Sequence, residues 1–404
     1  MATAELHDNY KSIEAVDVSG KRVLVRADLN VPMKDGVVSD ATRIERFMPT
    51  VRDLAARGAR VVILTHLGRP DGKAVPKYTV KPVADKLASL LGQEIIFGED
   101  CIGPVAEATV ASLKPGQIAM LENVRYYEGE EKNDPEFTAA LAKLGDIYVN
   151  DAFSVSHRAH ATTEALAHSL PAFVGPSMMA EINAFKVALD RPERPVAAIV
   201  GGSKVSTKID MLVNLTKKMD YLIIGGGMAN TFLFAQKHSV GRSICEPGLV
   251  SKVDAILSQA AESGCRIVLP VDAVVASELK PGETTKVVPI NEVPDDMMIL
   301  DVGPRSVADY IQRIEKCKTL LWNGPVGAFE IEPFGEGTFE LARVAAKLTQ
   351  EGKLATVAGG GDTVAALNAA GVTDQFTYVS TAGGAFLEWL EGRTLPGVAA
   401  LARS

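Results

Sequence analysis

The sequence predicts an α/β protein of two doubly wound parallel-sheet lobes, Rossmann-like in layout, joined by a helical hinge. Two observations carry this. Short apolar runs recur along the chain, each followed by a glycine-rich or polar turn and then a helical pattern, as buried parallel strands alternating with crossover helices require. The strand ends also change character midway, running into basic residues in the first half and into glycines in the second. A chain of 404 residues is long enough for two such domains.

In the first half the predicted strands are Val23–Val25, Val61–Leu64, Ile95–Phe97, Ile118–Leu121 and Ile147–Val149, with helical patterns between them such as ATRIERFMPTVRDLAARG and KPVADKLASLLG. In the second half they are Val196–Val200, Tyr221–Ile224, Arg266–Leu269, Met298–Leu300, Thr319–Trp322, Thr356–Ala358 and Phe376–Val379. The expected division is a first domain over 1–175, a helical joint over 176–194 and a second domain over 195–390. Pro176 opens the joint's helical pattern, and the RPERP stretch stops it. The apolar tail from about 391 to 404 is expected to pack back onto the first domain.

Composition narrows the function. Net charge is −8, so the chain as a whole repels nucleic acid and anionic membranes. A basic cluster inside it is then a local device for a small anion. No apolar run is long enough to span a membrane, and the N-terminal stretch lacks the apolar core of a secretion signal. Cys101, Cys245, Cys265 and Cys317 stand alone, without zinc spacing, and read as reduced thiols in a cytoplasmic protein. A monomer is the default expectation.

Four strand ends of the first half deliver Arg26, then His66 with Arg69, then Arg125, then His157, Arg158 and His160. Arg43 opens the helical pattern after the first strand, beyond an expected turn at 34–36. One such arginine is usually a surface ion pair. Several on one sheet edge would repel one another unless a dianion such as a phosphate ester relieved them, and guanidinium forks suit that ligand. Asp28 and Asn30 share the rim, suited to hydrogen-bonding hydroxyls and orienting the arginines. His157 and His160 have the i, i+3 spacing of a helical metal pair, but Arg158 lies between them and no carboxylate stands at the usual offset. His160 alternatively bonds loop backbone, while His157 and His66 are candidate donors to the anion.

The second half reads as a nucleotide site. PVAAIVGGSKVSTKI is strand, Gly-Gly turn and helix start, with Lys204 and Lys208 expected one helical turn apart. It is not a Walker loop, yet glycines, a helix N-terminus and lysines perform the same task. LATVAGGGDTVAALN repeats the arrangement without lysine, using Gly359, Gly360 and Gly361. Asp362 there is either a helix N-cap or a carboxylate for Mg2+ beside phosphates. WNGPVGAFE offers flat glycines to a base or sugar and Glu330 to ribose hydroxyls, while Gly226 and Gly227 of GGGMA form part of a purine wall.

Taken together, VRADLNVP, THLGRP, LENVRYYEGE, VNDAFSVSHRAH, GGSKVSTKI, IIGGGMANTFL, WNGPVGAFE, GGGDT and STAGGAFLEWLEG resemble the 3-phosphoglycerate kinase family, in order and over nearly the whole chain. The resemblance implies reversible transfer of the acyl phosphate of 1,3-bisphosphoglycerate to ADP, giving 3-phosphoglycerate and ATP, with hinge closure. It implies that Asp28, Asn30, Arg43, His66, Leu67, Gly68, Arg69, Arg125 and Arg158 hold the phosphoglycerate. It places Lys208, Glu330 and Gly360, Gly361, Asp362 and Thr363 around ATP or ADP, with Asp362 at Mg2+. Lys204 joins Arg43 at the transferring phosphoryl group. Two departures, Ala382 in STAGGA and Val155-Ser156 in SVSHRAH, touch only local loop geometry.

Competing readings are another two-lobed phosphoryl transferase with a different phosphorylated acid, and a non-catalytic nucleotide-binding protein on the same fold. The second gains little from cations aimed between two ligands. A dinucleotide oxidoreductase lacks its GxGxxG signature.

Overall fold

A computed structural model describes residues 10–402. The N-terminal residues 1–9 and the last two of the apolar tail, for which the sequence raised the secretion-signal and packing expectations, lie outside that range. The chain divides into two compact units, one reaching Asn183 and taking in the chain again from Thr394, the other Ala184–Arg393. The division falls inside the helical run formed by Pro176–Phe185 and Lys186–Asp190.

The first unit holds strands β1 (Arg22–Arg26), β2 (Met33–Lys34), β3 (Val37–Val38), β4 (Arg60–Leu64), β5 (Ile95–Gly98), β6 (Ile118–Leu121), β7 (Ile147–Asn150) and β8 (Ala172–Val174). Six of them form one sheet in the order β5-β6-β4-β1-β7-β8, every pairing parallel. Strands β1, β4, β6 and β7 are buried nearly end to end, which is why they read as continuous apolar runs. The turn expected at 34–36 is the tip of the β2–β3 hairpin. Asp35 and Gly36 there both have positive φ, the geometry a two-residue hairpin turn requires. The chain leaves β1 toward β4 but leaves β7 toward β8, on opposite sides. A crevice therefore opens between the carboxyl ends of β1 and β7, where open α/β sheets hold ligands.

The second unit repeats this plan with β9 (Val196–Val200), β10 (Tyr221–Ile224), β11 (Arg266–Val268), β12 (Asp272–Ala276), β13 (Lys286–Pro289), β14 (Met298–Val302), β15 (Thr319–Asn323), β16 (Ala355–Gly359) and β17 (Tyr378–Ser380). Its parallel sheet runs β11-β10-β9-β15-β16-β17. The crevice lies between β9 and β15 by the same argument.

Met298–Leu300, expected as a strand of that sheet, belongs instead to a separate antiparallel sheet ordered β13-β12-β14. The link 277–285 between β12 and β13 is too short for a crossover helix, so the pair folds back as antiparallel neighbours. Strands β2, β3, β8, β12 and β13 are additions to the sequence reading. Four of them are only two to four residues long and partly exposed, whereas β12 carries a largely buried apolar run, 273–276, that the sequence reading passed over.

Candidate active site

Over the β1/β7 crevice, polar side chains link four strand ends. Beyond β1, the Asp28 carboxylate accepts from its own turn at Asn30 N (3.2 Å). It also accepts from the Arg43 guanidinium (2.5 Å) and from the Ser154 hydroxyl delivered by β7. Arg43 lies in the first turn of the helix Thr42–Ala56 and donates in addition to Asn30 O (3.3 Å). Asn30 Oδ1 takes the Gly68 N–H at 2.9 Å, and Gly68 O takes Arg125 Nη1 at 3.0 Å. Gly68 has φ +63°, and a β-carbon there would meet the Tyr78 ring at 2.4 Å, so only glycine fits. Asp28, Asn30, Arg43, Gly68 and Arg125 are thus one connected array.

The remaining first-half candidates divide by exposure. Arg69 and Arg158 stand exposed at the rim, and among the described residues neither has a carboxylate partner. Leu67 is buried, and its backbone carbonyl serves the buried Asn123 amide at 2.8 Å. His66 is buried beneath the array. Burial, then the cations Arg26, Arg125 and Arg43, hold its imidazole well below the ordinary histidine range. Burial likewise lowers Arg125, with Arg26 adding to it.

Arg26 departs from the sequence reading. It is fully buried and bonded within the protein, so it lies under the cradle and is no part of its rim. The helical spacing of His157 and His160 is not realised either. After the 3-10 turn Phe153–Val155 the chain turns and bends through 156–158 and runs irregularly to His160, and helical backbone resumes only at Ala161. His157 is half-buried. His160 is buried, its ring 4.0 Å from Glu130, and burial followed by Arg125 pushes it down to about 4.

The second unit carries a cavity of about 320 Å³ over its own crevice, walled by Gly202, Gly226, Gly227, Leu300, Glu330 and Asp362 among others. Gly226 opens the helix Gly226–Ala235. Lys208 crosses the crevice, with Nζ donating to Gly201 O (2.6 Å) and Asn323 Oδ1 (2.7 Å). Burial lowers this ammonium to about 8, although Asp362 favours its charge. Lys204 is exposed, and the expected helical turn between the two lysines is a 3-10 turn, Val205–Thr207.

The N-cap of the helix Gly361–Ala369 is Gly360, not Asp362. Gly360 has φ +98°, and a β-carbon would meet the Asn323 amide at 2.7 Å. Asp362, released from capping, is exposed in the first helical turn, where it faces the cavity. The Thr363 hydroxyl is turned into the wall, accepting from Gly324 N (2.7 Å) and donating to Gly359 O (2.8 Å). Asn323 was missed from sequence. Its amide spans β15, Lys208 and Gly359 O (2.8 Å). The available signal was an asparagine ending an apolar strand just before a glycine.

Comparison with known proteins decides the family. The family model described as phosphoglycerate kinase matches residues 13–393. The chain belongs to the phosphoglycerate kinase family. It is therefore an enzyme, a phosphotransferase. It is 58% identical over 388 residues to the phosphoglycerate kinase of Methylorubrum extorquens, covering 96% of this chain and 97% of that one. It is 58% identical over 390 residues to that of Rhizobium meliloti, covering 96% and 98%. Among solved structures, the phosphoglycerate kinase of Coxiella burnetii is similar with a TM-score of 0.91 at 42% identity, over 97% of this chain and 98% of that one. The Pyrococcus horikoshii enzyme gives 0.78 at 31% identity, over 97% and 98%. Both confirm the α/β fold.

Proposed function

We propose that the basic array of the first unit binds 3-phosphoglycerate or 1,3-bisphosphoglycerate, that the glycine-walled cavity of the second binds ADP or ATP, and that the enzyme moves the acyl phosphate reversibly between them. The observation that carries the reading is the pair of exposed arginines, Arg69 and Arg158, without carboxylate partners among the described residues, beside an array that already orients Arg43 and Arg125. Cations left uncompensated at a crevice favour a phosphate ester, whose oxygens match guanidinium forks. Asp28 and Asn30 serve the glycerate hydroxyl and carboxylate end by fixing Arg43 and Gly68.

In the ATP-consuming direction the substrate carboxylate attacks the terminal phosphorus. The new acyl O–P bond forms as the bond to the ADP oxygen breaks. A carboxyl group with a pKa near ~3.5 is already ionised at neutral pH, so no general base is needed. The protein's work is positioning and charge stabilisation. Arg43 and Lys204 meet the in-flight phosphoryl group, while Lys208 and the backbone N–H groups at Gly361–Thr363 hold the nucleotide phosphates. Gly226, Gly227 and Glu330 receive base and ribose.

A Mg2+ ion fits this site: Asp362 offers one exposed carboxylate at a phosphate-binding helix start, and Mg2+ commonly takes one or two protein carboxylates plus phosphate oxygens and waters. Asp362 would hold it, and bound there it would neutralise charge on the nucleotide phosphates. We take the enzyme as a cytoplasmic monomer. Transfer needs both ligands together, so ligand-driven closure about the helical joint completes the reading, and unchanged small-angle scattering with both ligands bound would count against it. The direct test is Mg2+-dependent conversion of 3-phosphoglycerate and ATP, with Asp362→Ala expected to lose most activity. Turnover unaffected by chelation or by that variant contradicts the assignment.

A further inference from the structure

Beneath the basic array lies a buried polar chain that the proposed reaction does not use. Arg26 is fully buried at the end of β1. Its Nε donates to Thr162 Oγ1 at 2.8 Å, and one Nη donates to the Ala27 carbonyl. Its other Nη lies 3.0 Å from His66 Nδ1. Thr162, itself fully buried, donates its hydroxyl to Glu130 Oε1 at 2.5 Å and its backbone N–H to Glu130 Oε2 at 2.9 Å. The Thr162 carbonyl is fixed in turn by the Tyr148 hydroxyl at 2.6 Å.

The direction of every proton in this chain follows from chemistry. A guanidinium only donates. His66 Nδ1 must therefore accept, and the ring's single N–H is on Nε2, the nitrogen remote from Arg26. A hydroxyl has one proton, and Thr162 already accepts from Arg26, so that proton goes to Glu130. Both Glu130 oxygens accept, which suits the carboxylate form; burial raises its pKa, while the charge of the buried Arg26 and the bonds from Thr162 favour ionisation. A protonated His66 would set a donor against a donor, consistent with the depressed imidazole described above.

We propose that Glu130, Thr162 and Arg26 are positioning residues that lock His66 as a neutral Nε2–H donor for the bound phosphoglycerate. The inference rests on the substrate reading given above. It assigns His66 a fixed hydrogen-bond role in place of a charge, and it explains why Arg26 is spent out of reach of the rim. Breaking the chain at Thr162 releases the guanidinium, and with it the constraint on the ring.

The test is 15N NMR of the histidine rings in the full-length enzyme, beside steady-state kinetics. In the wild type His66 should be entirely the Nε2–H tautomer and stay neutral across the working pH range. Thr162→Val should give a mixed tautomer and raise KM for 3-phosphoglycerate about fivefold to tenfold, as the loss of one hydrogen bond allows. KM for ATP should not move, and Thr162→Ser should restore both properties. Glu130→Gln, which keeps the shape of the chain, should act in the same direction if Thr162→Val fails to fold. An Nδ1–H tautomer in the wild type overturns the proposal, as does a variant with unmoved tautomer or unchanged KM. The substrate reading fails separately, if His66→Ala leaves KM for 3-phosphoglycerate unchanged.

Discussion

Replacing Lys208 by methionine should separate stability from nucleotide binding. Burial lowers the ammonium from 10.5 to about 8. At 1.36 kcal/mol per unit, holding the charge there costs roughly 3 kcal/mol in the ligand-free protein. Methionine removes that cost and leaves both the Asn323 Oδ1 (2.7 Å) and the Gly201 carbonyl (2.6 Å) without their donor, a combined loss of roughly 2–5 kcal/mol. The two nearly cancel, so the melting temperature should move by only a few degrees. A lost charge-assisted contact to phosphate is about 1.5–3 kcal/mol, so Kd for ATP should rise about 10- to 150-fold. The sign of the pH dependence is also fixed. A polyanion prefers the protonated lysine, so wild-type affinity falls as pH rises through about 8, with proton uptake on binding above it. Calorimetry in buffers of different ionisation enthalpy reads both. A Lys208→Met enzyme that binds ATP as tightly as wild type, with the same pH slope, would refute the reasoning.

Three further outcomes are expected. His160 titrates at about 4 in the fold and near 6.5 unfolded, so its contribution to stability is complete above pH 6.5 and is lost as pH falls toward 4. Denaturant titrations of His160→Gln should show a shallower decline over that window. Thr363→Val removes the hydroxyl shared by Gly324 N and Gly359 O and should cost about 1–3 kcal/mol in urea unfolding. Asp28→Ala frees Arg43 and Ser154 together, and should raise KM for 3-phosphoglycerate with little change in KM for ATP in coupled assays.

The parallel sheets were legible because their strands are buried on both faces, as in Ile118–Leu121 and Val196–Val200, whose ends the sequence reading located to the residue. The antiparallel sheet was not. Strand β13 is exposed or half-buried along its length, and its neighbours could be paired only by noticing the short link at 277–285. The charged site residues were legible as residue types at strand ends. Their division of labour was not, because burial decides it. Arg26 and Arg125 look alike in sequence, yet one is sealed below His66 and the other reaches Gly68 O. Glu130 and Thr162 carry no pattern at all, since a buried polar chain is assembled by tertiary contacts alone. For Asp362 the sequence left a helix cap and a Mg2+ carboxylate both open; the fold gives the cap to Gly360, where a positive φ and the close Asn323 amide exclude a side chain, and leaves Asp362 exposed.

The central proposal is that Arg43 and Lys204 each stabilise the transferring phosphoryl group, and the kinetics of Arg43→Ala and Lys204→Ala test it most directly. With Mg2+, ATP and 3-phosphoglycerate saturating, the wild type should turn over and each variant should lose about 10²-fold or more in kcat while still binding both ligands. A wild type that binds both ligands without transferring phosphate, or variants with undiminished kcat, would contradict the account.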